Sequence, residues 1–212
     1  PPWSLSSYSS AALDFDKLQV FIDGATDSGV VPTPSVIDRN ISEIMTRRDV
    51  RQTLQEIRRM NCEVSYICED LTNPSNLKAK IDAICKTMGS VTGVIHGAGN
   101  LADKNLEHKT ENDYDLVYDT KVASLFSILQ CIDVNALRYL ILFSSISGYF
   151  GQVGQTDYSL SNEILNKFAH AVSKINKNIF VKSINWGQWD GGMVTPTYVS
   201  YTNLTLPTKS IE

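Results

Sequence analysis

Hydrophobic and polar residues change rhythm along the chain. From about Pro34 to Met60, Val36, Ile37, Ile41, Ile44 and Met45 recur at three- and four-residue steps, and Val50, Leu54 and Ile57 continue the stripe. That spacing predicts an amphipathic helix, with Arg47, Arg48, Arg51, Arg58 and Arg59 on a solvated face. Residues 1–35 read mainly as loop, Ser-rich at the start and closing on Pro32-Thr33-Pro34, with a short helix expected over Leu13–Ile22.

Beyond Met60 the pattern alternates. Strands are predicted at Glu63–Asp70, Val91–His96, Arg138–Phe143 and Phe180–Asn185, and helices at Asn76–Met88, Glu111–Ile132 and Asp157–Ile175. Apolar strands separated by helices indicate a parallel sheet covered on both faces. The expected class is therefore α/β, a doubly wound parallel sheet. Ligands of such sheets bind beyond the carboxyl ends of the strands. The residues there are Asp70-Leu71-Thr72, Gly97-Ala98-Gly99, Ser144-Ser145 and Trp186-Gly187, all sets that are small, polar or glycine-bearing, as close approach by a ligand requires.

Composition narrows the possibilities. The 212 residues are 42% hydrophobic and 20% charged, enough apolar material for a core and too much for a disordered chain. A net charge of −4 argues against nucleic acid as partner. No apolar run approaches the roughly 18 residues that span a bilayer, and the start, Pro-Pro-Trp-Ser-Leu, is unlike a secretion signal. Cys62, Cys68, Cys85 and Cys131 form no Cys-x-x-Cys pair, and the three histidines lie far apart, so no metal is expected. The cysteines read as reduced thiols, mostly core fillers, in a cytoplasmic protein. With no initiator Met, the chain is expected to be cut at both ends.

Four side chains stand out as candidate chemistry. Ser145 closes a strand, Tyr158 opens the next helix, Asn162 follows it by four positions on the same face, and Lys121 lies in the preceding helix. Singly each has an innocent explanation: a cap, a packed ring, a solvated ammonium.

Together they carry a resemblance. His96-Gly97-Ala98-Gly99, Phe143-Ser144-Ser145, Gly154-Gln155-Thr156-Asp157-Tyr158-Ser159-Leu160-Ser161-Asn162 and Asn185-Trp186-Gly187-Gln188-Trp189 resemble ketoreductase domains of fatty-acid and polyketide synthases, within the short-chain dehydrogenase/reductase superfamily. The match runs from roughly residue 47 to 198 and is strongest towards polyunsaturated fatty acid synthases, through IHGAGNLADK, YDTKV, LFSS, SNEILNK and NWGQWDGGMV. Residues 1–46 resemble the insertion that precedes the core in those enzymes, and 199–212 form a polar tail.

The resemblance implies a Rossmann-like fold of the short-chain dehydrogenase type, here without its first β-α-β segment. No Gly-rich turn precedes the motifs, Gly24 and Gly29 being isolated, and no basic residue for a 2′-phosphate is present. It implies NADPH-dependent reduction of a 3-ketoacyl group, carried on an acyl carrier protein, within a multidomain synthase; the isolated fragment is expected to be inactive. In that scheme Tyr158 gives the proton, Lys121 lowers its pKa, Ser145 polarises the ketone, and Asn162 helps hold Lys121 and a relay water. In ordinary short-chain dehydrogenases the Lys stands four residues after the Tyr. Here that place is Asn162 and the Lys is Lys121, an exchange typical of the synthase ketoreductases. Asp70 and Leu71 would contact adenine, Gly97, Ala98 and Gly99 the adenosine ribose and pyrophosphate, Lys121 and Tyr158 the nicotinamide ribose, and Trp186 and Gly187 the nicotinamide.

Leu101-Ala102-Asp103 is similar to a signature of the class giving a D-3-hydroxyl, with Ala for the commoner Asp in the middle. Phe150 stands where the opposite class carries Trp. Two other readings remain open from sequence: a non-catalytic structural remnant of such a domain, and a free-standing short-chain dehydrogenase.

Overall fold

A computed structural model describes residues 33–187. The chain divides into two compact units, Pro1–Tyr66 and Ile67–Glu212. The expected helix at 13–22, the residues after Gly187 and the polar tail at 199–212 lie outside the described residues.

Described residues of the first unit form one long helix, α1 (Pro34–Arg59), as the periodicity predicts. Pro34 suits the first turn, where no amide partner is needed. Val50, Leu54 and Ile57 are half-buried, whereas Arg47, Arg51, Arg58 and Arg59 are exposed. The helix ends in a Schellman turn. Asn61 takes a left-handed conformation (φ 55°), so that Asn61 N donates to Arg58 O (3.0 Å) and Cys62 N to Ile57 O (3.3 Å).

The strand expected at Glu63–Asp70 does not form; these residues carry no regular structure. Their alternation is strand-like, but a strand exists only through a ladder to a neighbour, and the three described strands pair only with one another.

In the second unit, β1 (Gly93–His96), β2 (Tyr139–Ser145) and β3 (Phe180–Trp186) form a parallel sheet in that order. This confirms the α/β class and its Rossmann-like topology. The register aligns Val94 with Leu140 and Leu140 with Val181, one row of buried side chains across three strands. Leu142 follows, and Leu125, Leu165 and Ala169 close the core over this face. Burying Leu140 and Leu142, exposed by 1% and 0%, contributes about 1.5–3 kcal/mol each. Ile95, Tyr139 and Phe180 point the other way and are exposed.

The described α-helices of this unit are α2 (Pro74–Met88), α3 (Glu111–Tyr118), α4 (Ser124–Cys131), α5 (Ile146–Phe150) and α6 (Thr156–Ile175), with a short 3-10 turn at Leu106–His108. Asn73 caps α2 by accepting from Asn76 N, and Thr110 and Asp113 form a reciprocal capping box on α3. The single helix expected over 111–132 is interrupted: Asp119–Ala123 is a π-helical turn between α3 and α4. Gly148 permits α5 to lie on α6, since a Cβ there would come within 2.9 Å of Asn162 Cβ. Of the cysteines only Cys131 is fully buried; Cys62 and Cys68 are exposed, because the Schellman turn and the unpaired segment after it lie at the surface. Core filler is therefore the wrong description for those two.

Candidate active site

The parallel register brings the ends of β2 and β3 level, Ser144 beside Asn185 and Ser145 beside Trp186. β1 ends one residue before Gly97-Ala98-Gly99. Three of the four strand ends singled out in the sequence thus lie along one sheet edge. Phe143 and Trp186 meet edge to face, ring centroids 5.5 Å apart.

Lys121 is the centre of the arrangement. Its side chain is buried, and Nζ donates to Phe143 O at 2.9 Å and to Ala98 O at 3.4 Å. It also lies 5.6 Å from the centroid of the Tyr158 ring. Burial lowers the ammonium's pKa to about 8. An ammonium has three hydrogens, so a third donor remains beyond the two carbonyls.

Tyr158 sits in the first turn of α6 and is half-buried. Asn162, one turn on, is fully buried; Nδ2 donates to Tyr158 O at 2.8 Å, and Oδ1 has no partner. Its amide is thus used on the helix backbone rather than on Lys121. The backbone of Asn162 is held in turn, Ser144 Oγ donating to Asn162 O at 3.0 Å. Ser145 Oγ accepts from Ser147 N (3.2 Å) and Ser147 Oγ (2.9 Å), which leaves its own hydrogen to donate outward.

Asp70 and Leu71 are not drawn into this cluster by any described contact. Asp70 Oδ1 accepts from Thr72 N (2.9 Å) and Thr72 Oγ1 (2.7 Å), bonds that hold its carboxyl below the usual range. Gly97 and Gly187 are exposed, Ala98 and Gly99 half-buried. Among the described residues, a Cβ at Gly187 would meet nothing within 4 Å.

Several contributors carried no signal in the sequence. Lys109 and Asp157, 48 positions apart, form a buried ion pair, with Nζ 2.8 Å from both carboxylate oxygens and 2.8 Å from Ala102 O. Asp157 Oδ1 also accepts from Tyr158 N at 2.8 Å. Gln155 Nε2 donates to Asp103 Oδ2 (2.8 Å) and Lys104 N to Gly154 O (3.0 Å). Leu101-Ala102-Asp103 is therefore tied to the turn that delivers Tyr158. Phe150 is exposed, its ring edge-on to Tyr149. No group of metal-ligating side chains occurs among the described residues, and no described helix is long and apolar enough to cross a membrane.

The chain is similar to known proteins in sequence and in fold. The KR domain family matches residues 36–191. The chain is 38% identical over 173 residues to a polyunsaturated fatty acid synthase polypeptide of Thraustochytrium sp., covering 81% of the chain and 6% of that protein. It is 32% identical to polyketide synthase PksN of Bacillus subtilis, covering 66% of the chain and 3% of that protein. Among solved structures, a ketoreductase domain from the bacillaene assembly line superposes with a TM-score of 0.64 at 30% identity, over 74% of this chain and 39% of the other. The ketoreductase from the first module of phoslactomycin biosynthesis in Streptomyces sp. HK803 gives 0.65 at 25%, over 72% of this chain and 35% of the other. The chain spans a small fraction of the synthases it matches. With a family match across most of its length, and with its strand ends, Lys121 and Tyr158 gathered at one sheet edge, the chain belongs to the KR (ketoreductase) domain family of polyketide and fatty-acid synthases.

Proposed function

We propose that the chain is the catalytic part of a domain that reduces a 3-ketoacyl group, carried on an acyl carrier protein, to the 3-hydroxyacyl form with NADPH, within a cytoplasmic multidomain synthase. The observation that carries this reading is the buried Lys121 ammonium held by Phe143 O and Ala98 O beside the Tyr158 ring. A buried ammonium is costly unless it has a task or a partner, and here two neutral carbonyls are its only described acceptors.

The residues fit a nicotinamide cofactor. The third Lys121 donor and the Tyr158 hydroxyl suit the nicotinamide ribose. Gly97, Ala98 and Gly99, which follow β1 at the carboxyl edge of the sheet, suit the adenosine ribose and pyrophosphate, and Trp186-Gly187, at the end of β3, suits the nicotinamide. Asp70 keeps a second carboxylate oxygen for adenine, with Leu71 beside it. Bound there, the cofactor would supply the hydride.

The remaining chemistry belongs to the chain. Ser145 points its free hydroxyl hydrogen at the ketone oxygen and stabilises charge gathering on it. Tyr158 gives its phenolic proton to that oxygen as the hydroxyl forms. Lys121, positive below about pH 8, stabilises the phenolate left behind. The unpartnered Asn162 Oδ1 is suited to a water that returns a proton. Leu101-Ala102-Asp103, tied to the turn before Tyr158, would bound the substrate cleft, and the D-3-hydroxyl follows from the resemblance of these three residues alone.

The test is cofactor oxidation by the complete polypeptide carrying this chain, supplied with a 3-ketoacyl thioester. Consumption of NADPH in preference to NADH, with a 3-hydroxyacyl product, is expected. A folded protein that binds neither cofactor and consumes neither would overturn the reading and leave a structural role.

A further inference from the structure

His96, the last residue of β1, is 2% exposed. Its Nε2 lies 2.8 Å from Lys121 O. A carbonyl can only accept, so Nε2 carries the hydrogen and donates. Burial lowers the imidazole's pKa, which favours a neutral ring with this single N–H.

The acceptor lies inside the π turn at Asp119–Ala123. There Ser124 N bonds to Asp119 O, five residues back, rather than to Thr120 O. A widened turn carries carbonyls away from their usual amide partners and requires substitutes. Thr120 O, which Ser124 N has left, takes Ser124 Oγ as its donor instead. Lys121 O, in the same turn, takes a donor from the sheet, through His96. The residue whose carbonyl His96 holds is the one whose Nζ reaches Phe143 O and Ala98 O. Lys121 is thus fixed at its backbone by the end of β1 and at its side chain by the end of β2 and the loop after β1.

We propose that His96 is a positioning residue, whose hydrogen bond to the Lys121 carbonyl holds the π turn in the register that presents the Lys121 ammonium to Tyr158. This inference rests on the reading of Lys121 and Tyr158 as reductase residues. His96 has no contact with substrate in this role and acts only through Lys121.

Two variants in the complete protein test it. His96→Met fills the space without a donor, whereas His96→Gln keeps an N–H where Nε2 stands. Two readouts are taken: kcat and KM, and the acylation rate of Lys121 by a water-soluble active ester, measured by mass spectrometry without cofactor or substrate. His96→Met should lower kcat on the order of 10²-fold, the cost of a small misplacement, with KM little changed. Lys121 should acylate faster in it, and His96→Gln should restore both values. If His96→Met does not accumulate as folded protein, His96→Asn, whose amide is too short to reach Lys121 O, replaces it against His96→Gln. Wild-type kcat and wild-type acylation in the donor-less variant, or equal values for Gln and Asn, overturn the proposal. If the wild type itself shows no reduction, the proposed function fails, while the acylation comparison still decides whether His96 holds Lys121.

Discussion

Lys121 and Tyr158 come from different helices, 37 positions apart in the chain, yet the Lys121 ammonium lies 5.6 Å from the centroid of the Tyr158 ring. What brings them together is backbone: the widened turn that carries Lys121, and the carbonyls of Ala98 and Phe143 that receive its hydrogens. The charge beside the ring therefore depends on the protonation of one buried amine.

Under the proposed function, that dependence sets a pH limit on turnover. With its pKa lowered to about 8 by burial, Lys121 loses its charge as pH rises through that value. Stabilisation of the Tyr158 phenolate goes with it, so kcat should fall above about pH 8. Steady-state rates across pH 6–10 check this; a flat profile through pH 8–10 contradicts it.

The same shift has a consequence for stability, opposite in direction. Between about 8 and its ordinary value of 10.5, Lys121 binds a proton more readily when unfolded than when folded. Its contribution is therefore unfavourable below pH 8, and the penalty disappears as pH rises from 8 to 10.5. Lys121→Met should gain stability relative to wild type at pH 7 and lose that advantage at high pH. Denaturant midpoints of the two proteins at both ends of this window give the comparison.

The Lys109–Asp157 pair should behave as a unit. Either Lys109→Met or Asp157→Asn leaves the partner charge buried, at 0% side-chain exposure for Asp157 and 6% for Lys109, and should cost about 3–5 kcal/mol. Removing both charges together should recover most of that loss. Chemical denaturation of the two single variants and the double variant measures the coupling; additive losses would show that the pair is not one.

Much of this was readable in advance, for identifiable reasons. Val94, Leu140, Leu142 and Val181 lie in apolar strands, and helices α2 and α6 have clear caps or periodicity, so the parallel sheet follows from pattern. Lys121, Ser145, Tyr158 and Asn162 stood out by motif. The π turn did not, because Asp119-Thr120-Lys121-Val122-Ala123 has ordinary helical composition and its bond to His96 comes from a strand 25 positions away. Lys109 with Asp157 was hidden for the same reason: a long-range ion pair leaves no local trace. The strand at Glu63–Asp70 failed in the other direction, its alternation being local and the neighbour it needs not.

Gly148 should tolerate nothing larger. Its missing Cβ would stand 2.9 Å from Asn162 Cβ and 3.0 Å from Glu163 N, and the latter is backbone that cannot swing aside. Gly148→Ala should push α5 off α6 at a cost of about 1–3 kcal/mol, with reduced turnover because Asn162 moves. Thermal unfolding and kcat of this variant provide the check.

The central claim is that Tyr158 is the proton donor in ketone reduction, and Tyr158→Phe addresses it most directly. The ring stays, so packing beside Lys121 and the start of α6 are kept, and only the hydroxyl goes. NADPH binding and 3-ketoacyl thioester reduction should be measured on the same folded preparation of the complete polypeptide. The account predicts binding largely retained and reduction lowered by at least about 10²-fold, the scale of a lost general acid. Reduction at the wild-type rate would contradict it.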